Sequence, residues 1–226
     1  MDFETARKRM VDRLVDRGRI ERETTADALR AVPRHAFVPP ERRESAYQDR
    51  PLPIGGGQTI SAPHMVAIVT DLLALDPGDR VLEIGTGRGY HAAVTAEALA
   101  RVERGAGADD TDDADDGGVY SVEYEPKLAE HARETLSEHG YDVDVRTGDG
   151  YEGWADRAPY DRAYLACAPE SLPERVVEQL RPGGCVVGPV GRRRQRLVRA
   201  WRREDGRVDR ETHGGVRFVP MRRSDD

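Results

Sequence analysis

Lysine is almost missing from this chain of 226 residues: Lys8 and Lys127 are the two, and arginine supplies every other basic side chain. That bias, beside the run "GADDTDDADDGG", fits a GC-rich, salt-adapted genome. Cysteine is as scarce. Cys167 and Cys185 lie far apart with no C-x-x-C spacing, which excludes a disulfide framework or thiolate metal centre and fits two small buried hydrophobes in a reducing cytoplasm. No metal site is expected. Long apolar runs are missing too. None approaches the roughly 20 residues of a membrane span, and "MDFETARKRM" carries charge where a signal peptide would be apolar. The reading is a cytoplasmic protein without a membrane partner.

Charge narrows the partners further. The formal net charge of −7 argues against a sequence-independent nucleic-acid binder. The tract "GRRRQRLVRAWRR" is locally basic and reads mainly as a solvated strand face, with a nucleic-acid patch as the alternative. A monomer is expected.

What is present has a clear order. Phe3, Ala6, Met10 and Leu14 recur at helical spacing up to Gly18, and Thr24 or Thr25 can cap a second short helix that Pro33 stops. An irregular proline-rich stretch leads into "PIGGGQTISAPHM". From there helices and strands alternate: helix "HMVAIVTDLLAL", strand "RVLEIG", helix "YHAAVTAEALARV", strand "VYSVE", helix "KLAEHARETLSEHG", strands "DVDVRTGD" and "DRAYLACA", helix "LPERVVEQLRPGG", strand "CVVGPVG". Alternation of this kind predicts an α/β fold with a doubly wound, mostly parallel sheet of Rossmann-like type. "RLVRAW" and "RVDRETH" flank an Asp-Gly turn and predict a C-terminal antiparallel hairpin, and "VRFVP" one more edge strand. The expected organisation is one domain. Residues 1–62 form a helical and loop extension on the substrate side, 63–191 a binding core with an acidic insertion at 105–118, and 192–226 the final strands.

The chemistry concentrates at three strand ends. "VLEIGTGRGY" gives E-x-G-x-G-x-G, from Glu83 through Gly85, Gly87 and Gly89; Tyr90 stands where a dinucleotide fingerprint needs glycine. An acid there is awkward beside a pyrophosphate but suits a cationic cofactor without phosphate, S-adenosylmethionine (SAM). Glu123 ends the next strand, where an acid reaches ribose hydroxyls. Asp149 and Gly150, in "TGDG", can accept from an adenine amino group and leave room for the ring.

With those pieces placed, "VPRHAFVP", "AYQDRPLPIGGGQTISAPHM", "VLEIGTGRGYHAAV", "VRTGDGYEGWADRAPYDRAYLACAP" and "VEQLRPGGCVVGPVG" occur together in one order. The chain resembles the protein-L-isoaspartate O-methyltransferases over roughly residues 20–191. The resemblance implies SAM as cofactor and the α-carboxylate of L-isoaspartyl, and also D-aspartyl, residues in damaged proteins as acceptor. It implies that Ser61 matches the family's active-site serine, with Gln58, Thr59, Ile60 and Ala166 beside the substrate. The cofactor set it implies is Glu83, Gly85, Thr86, Gly87, Gly89, Tyr90, Glu123, Tyr124, Asp149 and Gly150. Arg88 and "YLACA" depart from the family pattern. Two other readings stay open: a SAM-dependent methyltransferase of a small molecule or nucleic acid, and a non-catalytic relative that binds damaged chains.

Overall fold

Runs rich in valine, isoleucine and leucine between glycine-bearing turns bury strands on both faces, and here they assemble a seven-stranded sheet. The computed structural model describes residues 2–106 and 117–223. Of the acidic insertion read at 105–118, residues 107–116 lie outside the described residues. The elements that precede the sheet are helices α1 (Phe3–Asp16) and α2 (Glu23–Ala31), strands β1 (Leu52–Gly55) and β2 (Gln58–Ile60), and helix α3 (Pro63–Leu73). Then come β3 (Arg80–Ile84), α4 (Tyr90–Gly105), β4 (Gly118–Glu123), α5 (Pro126–Glu138), β5 (Val143–Thr147), β6 (Tyr160–Leu165), α6 (Glu174–Glu178), β7 (Leu180–Val190), β8 (Gln195–Arg202) and β9 (Val208–Val216).

The strand order is β5-β4-β3-β6-β7-β8-β9. The first five run parallel, while β8 pairs antiparallel with both β7 and β9. The order reverses between β3 and β6, which opens a crevice at the carboxyl ends of these strands where open α/β sheets bind ligands. Alternate residues of β3 feed two apolar clusters. Val81 joins the one built with α1 to α5, and Leu82 and Ile84 join the one closed by Val176 and Met221.

Local signals explain most boundaries. Asp2 caps α1 by accepting from the backbone N–H groups of Glu4 and Thr5 at 3.1 and 3.3 Å. Helix α3 ends at Ala74, a left-handed residue with φ of 50°. Beneath it the buried Arg162 of β6 donates to Leu73 O at 2.9 Å and to Asp76 Oδ2 at 2.7 Å, tying the helix end to the sheet.

Three expectations need correction. Helix α2 begins at Glu23, so Thr24 and Thr25 sit in its first turn and neither is its cap. The helix expected over "LPERVVEQLRPGG" shrinks to Glu174–Glu178, because Leu180 already pairs with Tyr160 as the start of β7. "VRFVP" forms no edge strand: β9 stops at Val216, and beyond it only Pro220 bridges to Ala168. The glycine stretch before Ser61 forms the turn of the β1–β2 hairpin.

The N-terminal segment is part of the same core. Phe37 is fully buried, with its ring centroid 5.9 Å from Tyr90 and 6.4 Å from Tyr141. Phe37→Ala removes that contact and leaves a cavity; a loss of about 3–5 kcal/mol in denaturant unfolding is expected.

Candidate active site

Strand β3 carries the acid that organises the crevice. Its parallel register places Ser121 of β4 and Tyr164 of β6 opposite Glu83. Ser121 Oγ donates to Glu83 Oε2 at 2.5 Å, and Thr86 Oγ1 stands 2.5 Å from Ser121 Oγ. Glu83 is fully buried, and among the described residues its Oε1 has no hydrogen-bond partner. Burial pushes this carboxyl up to about 8, against the hydrogen bonds of Ser121 and Tyr164, which favour its ionised form.

The glycine turn follows. Gly85 and Gly87 have φ of +96° and +58°, values a side chain rarely adopts, and they bring bare backbone to the crevice floor. Gly87 N donates to Glu123 Oε2 at 2.7 Å, while Glu123 Oε1 accepts from Glu125 N at 2.9 Å. The second acid is thereby fixed beside the turn; burial raises its pKa, opposed by these backbone donors. At Gly150 a Cβ would lie 2.4 Å from Ile84 Cγ2 and 2.9 Å from Met221 Cε, so this position tolerates no side chain.

Above the crevice the β1–β2 hairpin turns through Gly55, Gly56 and Gly57, all with positive φ. Arg222 donates to Gly56 O at 2.8 Å and lies 3.6 Å from Glu125 Oε2, so the C-terminal segment straps the hairpin tip to the start of α5.

One cavity is lined by Glu83, Gly85, Thr86, Gly87, Tyr90, Glu123, Tyr124 and Gly150 together with Gln58, Thr59, Ile60, Ser61 and Ala166. Two expected residues are elsewhere. Gly89 is the N-cap of α4, where a Cβ would press on Leu136 at 3.0 Å. Asp149 accepts from Tyr151 N at 2.9 Å and faces a separate cleft with Arg223. The same cavity holds Cys167, part of the "YLACA" departure, and gains residues that sequence reasoning passed over: Ile54 and the segment Val219, Pro220, Met221, Arg222. The apolar "FVPM" after a polar hairpin was the available signal, and it was spent on an edge strand. Arg88, a departure from the family pattern, also lines the cavity, with its Nε buried and unpartnered.

Cys167 and His91 line the site without reactive character. Burial pushes the Cys167 thiol up to about 12 and the His91 ring down to about 3, so both are neutral near pH 7. His91 instead lies 3.3 Å from Thr70 Oγ1.

A buried acid with one free oxygen, a glycine-rich turn and a second acid at the next strand end fit a cationic nucleoside, and they define the class: a SAM-dependent methyltransferase. The profile of the protein-L-isoaspartate(D-aspartate) O-methyltransferase family matches residues 5–225. A Methanopyrus kandleri protein-L-isoaspartate O-methyltransferase is 48% identical over 222 residues, 97% of this chain and 92% of that one. A second, from Archaeoglobus fulgidus, is 47% identical over 223 residues, 98% of this chain and 95% of that one. Among solved structures, a protein-L-isoaspartate O-methyltransferase superposes with a TM-score of 0.79 at 29% identity, covering 95% of this chain and 65% of that chain. A Plasmodium falciparum protein in complex with S-adenosyl-L-homocysteine gives the same TM-score at 22% identity over 96% of this chain and 98% of that one, a likeness of fold. The chain belongs to the protein-L-isoaspartate O-methyltransferase family.

Glu83 gives the site a pH signature. Its carboxyl holds a proton up to about pH 8 when folded, whereas the unfolded chain releases it near 4.5. Between those values the folded state binds more protons, so stability declines as pH rises, by at most about 1.4 kcal/mol per pH unit. Denaturant unfolding of the ligand-free protein from pH 5 to 8 should show this decline, and Glu83→Gln should flatten it.

Proposed function

We propose that this chain transfers the methyl group of SAM to the α-carboxylate of L-isoaspartyl residues in altered proteins, with Ser61 orienting the acceptor. The observation that carries this reading is the position of Ser61. It lies in the wall shared by the donor cavity and a wide, open groove, together with Thr59, Ala166, Val219 and Pro220. The groove, about 1010 Å³, has room for several residues of an extended chain.

Glu83 and Glu123 would hold the ammonium or sulfonium end and the ribose diol of the donor, with Gly85, Gly87 and Gly150 giving it close backbone approach. SAM, when bound, supplies an electrophilic methyl on a cationic sulfur. The protein's part is then positioning. A carboxylate is ionised at neutral pH, with an ordinary pKa near 4, so the acceptor needs no general base, and the neutral state of His91 and Cys167 is no handicap. Ser61 donates to one acceptor oxygen and leaves the other free to attack along the groove-to-cavity axis. The hairpin tip strapped by Arg222 shields that meeting point from water. Asp149, held at the edge by Tyr151 N, is placed outside the donor contacts in this reading. The same reading has the chain working as a monomer in a reducing cytoplasm, in keeping with two free cysteines, and on proteins, not nucleic acid.

The test is a methylation assay with labelled SAM on a synthetic peptide carrying L-isoaspartate and on its normal aspartyl twin. Label transfer to the isoaspartyl peptide alone is expected. Ser61→Ala should lower kcat about 10- to 100-fold, the loss of one hydrogen bond to a charged group, with SAM affinity retained in calorimetry. Equal labelling of both peptides, or none, overturns the reading.

A further inference from the structure

The groove beside Ser61 has a charge opposite to that of the molecule. Arg193 and Arg194 lie in the β7–β8 turn, Arg196 opens β8, and Arg217 follows β9; all four are exposed and line the groove. Among the described residues no carboxylate lines it. None of the four makes a side-chain hydrogen bond, ion pair or ring contact among the described residues, although their neighbours do. Arg192 lies 3.5 Å from Glu170, Arg203 pairs with Asp209, and Arg199 stacks over Trp201 at 4.8 Å. His64, the other basic residue there, is held by Asp49 at 2.8 Å. The basic tract read as one solvated strand face is therefore divided. Part of it is spent on structure, and Arg193, Arg194 and Arg196 point free charge at the acceptor side.

Topology explains how they converge. Because β8 returns antiparallel and β9 runs back beside it, the end of β7, the start of β8 and the end of β9 share one edge. That edge is the carboxyl end of the parallel strands, where the donor cavity opens. Four unpaired guanidinium groups on a chain of net charge −7 create a local positive field that attracts anions.

We propose that this arginine-lined groove selects isoaspartyl segments flanked by acidic residues, the guanidinium groups pairing with side-chain carboxylates a few residues from the methylated site. The proposal rests on the reading of the groove as the acceptor site. Exposed pairs of this kind are worth about two- to fivefold each.

The experiment compares kcat/KM for three nonapeptides with a central L-isoaspartate, flanked on both sides by glutamate, glutamine or lysine. At low ionic strength the glutamate peptide should exceed the lysine peptide by about tenfold or more. At about 0.5 M NaCl, where the Debye length falls to about 4 Å, the ratio should shrink to within about twofold. The variant Arg193→Glu/Arg194→Glu/Arg196→Glu/Arg217→Glu should invert the order, a result that loss of structure cannot produce; its SAM affinity by calorimetry reports that it folds. Equal kcat/KM across the three peptides overturns the proposal while leaving isoaspartyl methylation intact. Failure to methylate any of them overturns both. Tight, salt-sensitive binding of single-stranded RNA that blocks peptide methylation would reassign the groove to nucleic acid and also overturn it.

Discussion

The carboxyl of Glu83, sealed at the end of the central strand, is the constraint around which the rest of the site is arranged. A buried charge without a partner is too costly to hold, so the group keeps its proton and stands among hydroxyls. Those hydroxyls come from the sheet itself: Ser121 and Tyr164 are the residues that parallel register sets against Glu83 on either side. A slip of one residue in either strand would replace them with groups from the opposite face. Thr95 of α4 then donates to Tyr164 Oη at 3.1 Å, so the helix after the glycine turn joins the same network. In the proposed donor complex the oxygen left over, Oε1, is the one that would meet the cation. Burying an acid at this position costs stability, in the sense expected where function opposes folding.

The second layer of the design is the antiparallel return at the sheet's end. A purely parallel sheet would have finished at β7, leaving the cavity mouth bare on that side. Instead β8 and β9 carry the chain out and back, and the last described residues run along the crevice. Ala168 N donates to Val219 O and Met221 N to Ala168 O, pinning that segment to the end of β6. Arg222 then reaches the hairpin tip. The site is closed by parts from both ends of the sequence.

Much of this was legible beforehand because it is local. The strand, glycine turn and helix from Arg80 to Gly105 follow from period and from glycines with positive φ, and Glu123 follows from the same logic one strand on. What stayed hidden depends on distance along the chain. No periodicity announces that Val219 to Met221 pack beside Ile84, because bridge Ala168–Pro220 joins residues more than fifty apart. Asp149 reads as a ligand from its strand-end position, and the sequence does not show that the tight turn after β5 also gives its Oδ1 a backbone donor in Tyr151 N. The basic tract could not be sorted from sequence, since the carboxylates that meet Arg199 and Arg203, Glu211 and Asp209, lie across a hairpin.

The two cavities that meet at Ser61 differ in their charged lining. Glu123 and Glu125 line the inner one with Arg88 and Arg222 beside them and Glu83 kept neutral by burial, while Arg193, Arg194, Arg196 and Arg217 line the outer groove. In the proposed reaction the acceptor carboxylate enters through a field that favours it and meets the donor's sulfonium. Their charges cancel as the methyl moves, so the transition state is less polar than the reactants and gains from a dry meeting point. A wall made of Thr59, Ser61, Ala166, Val219 and Pro220 offers two small hydroxyls and otherwise little that could solvate charge. A general base placed there would have to be desolvated to no purpose, because the acceptor arrives ionised. The catalytic demand is thereby reduced to holding two oppositely charged groups in line, and the sheet register, the hairpin and the C-terminal strap are the parts that hold them.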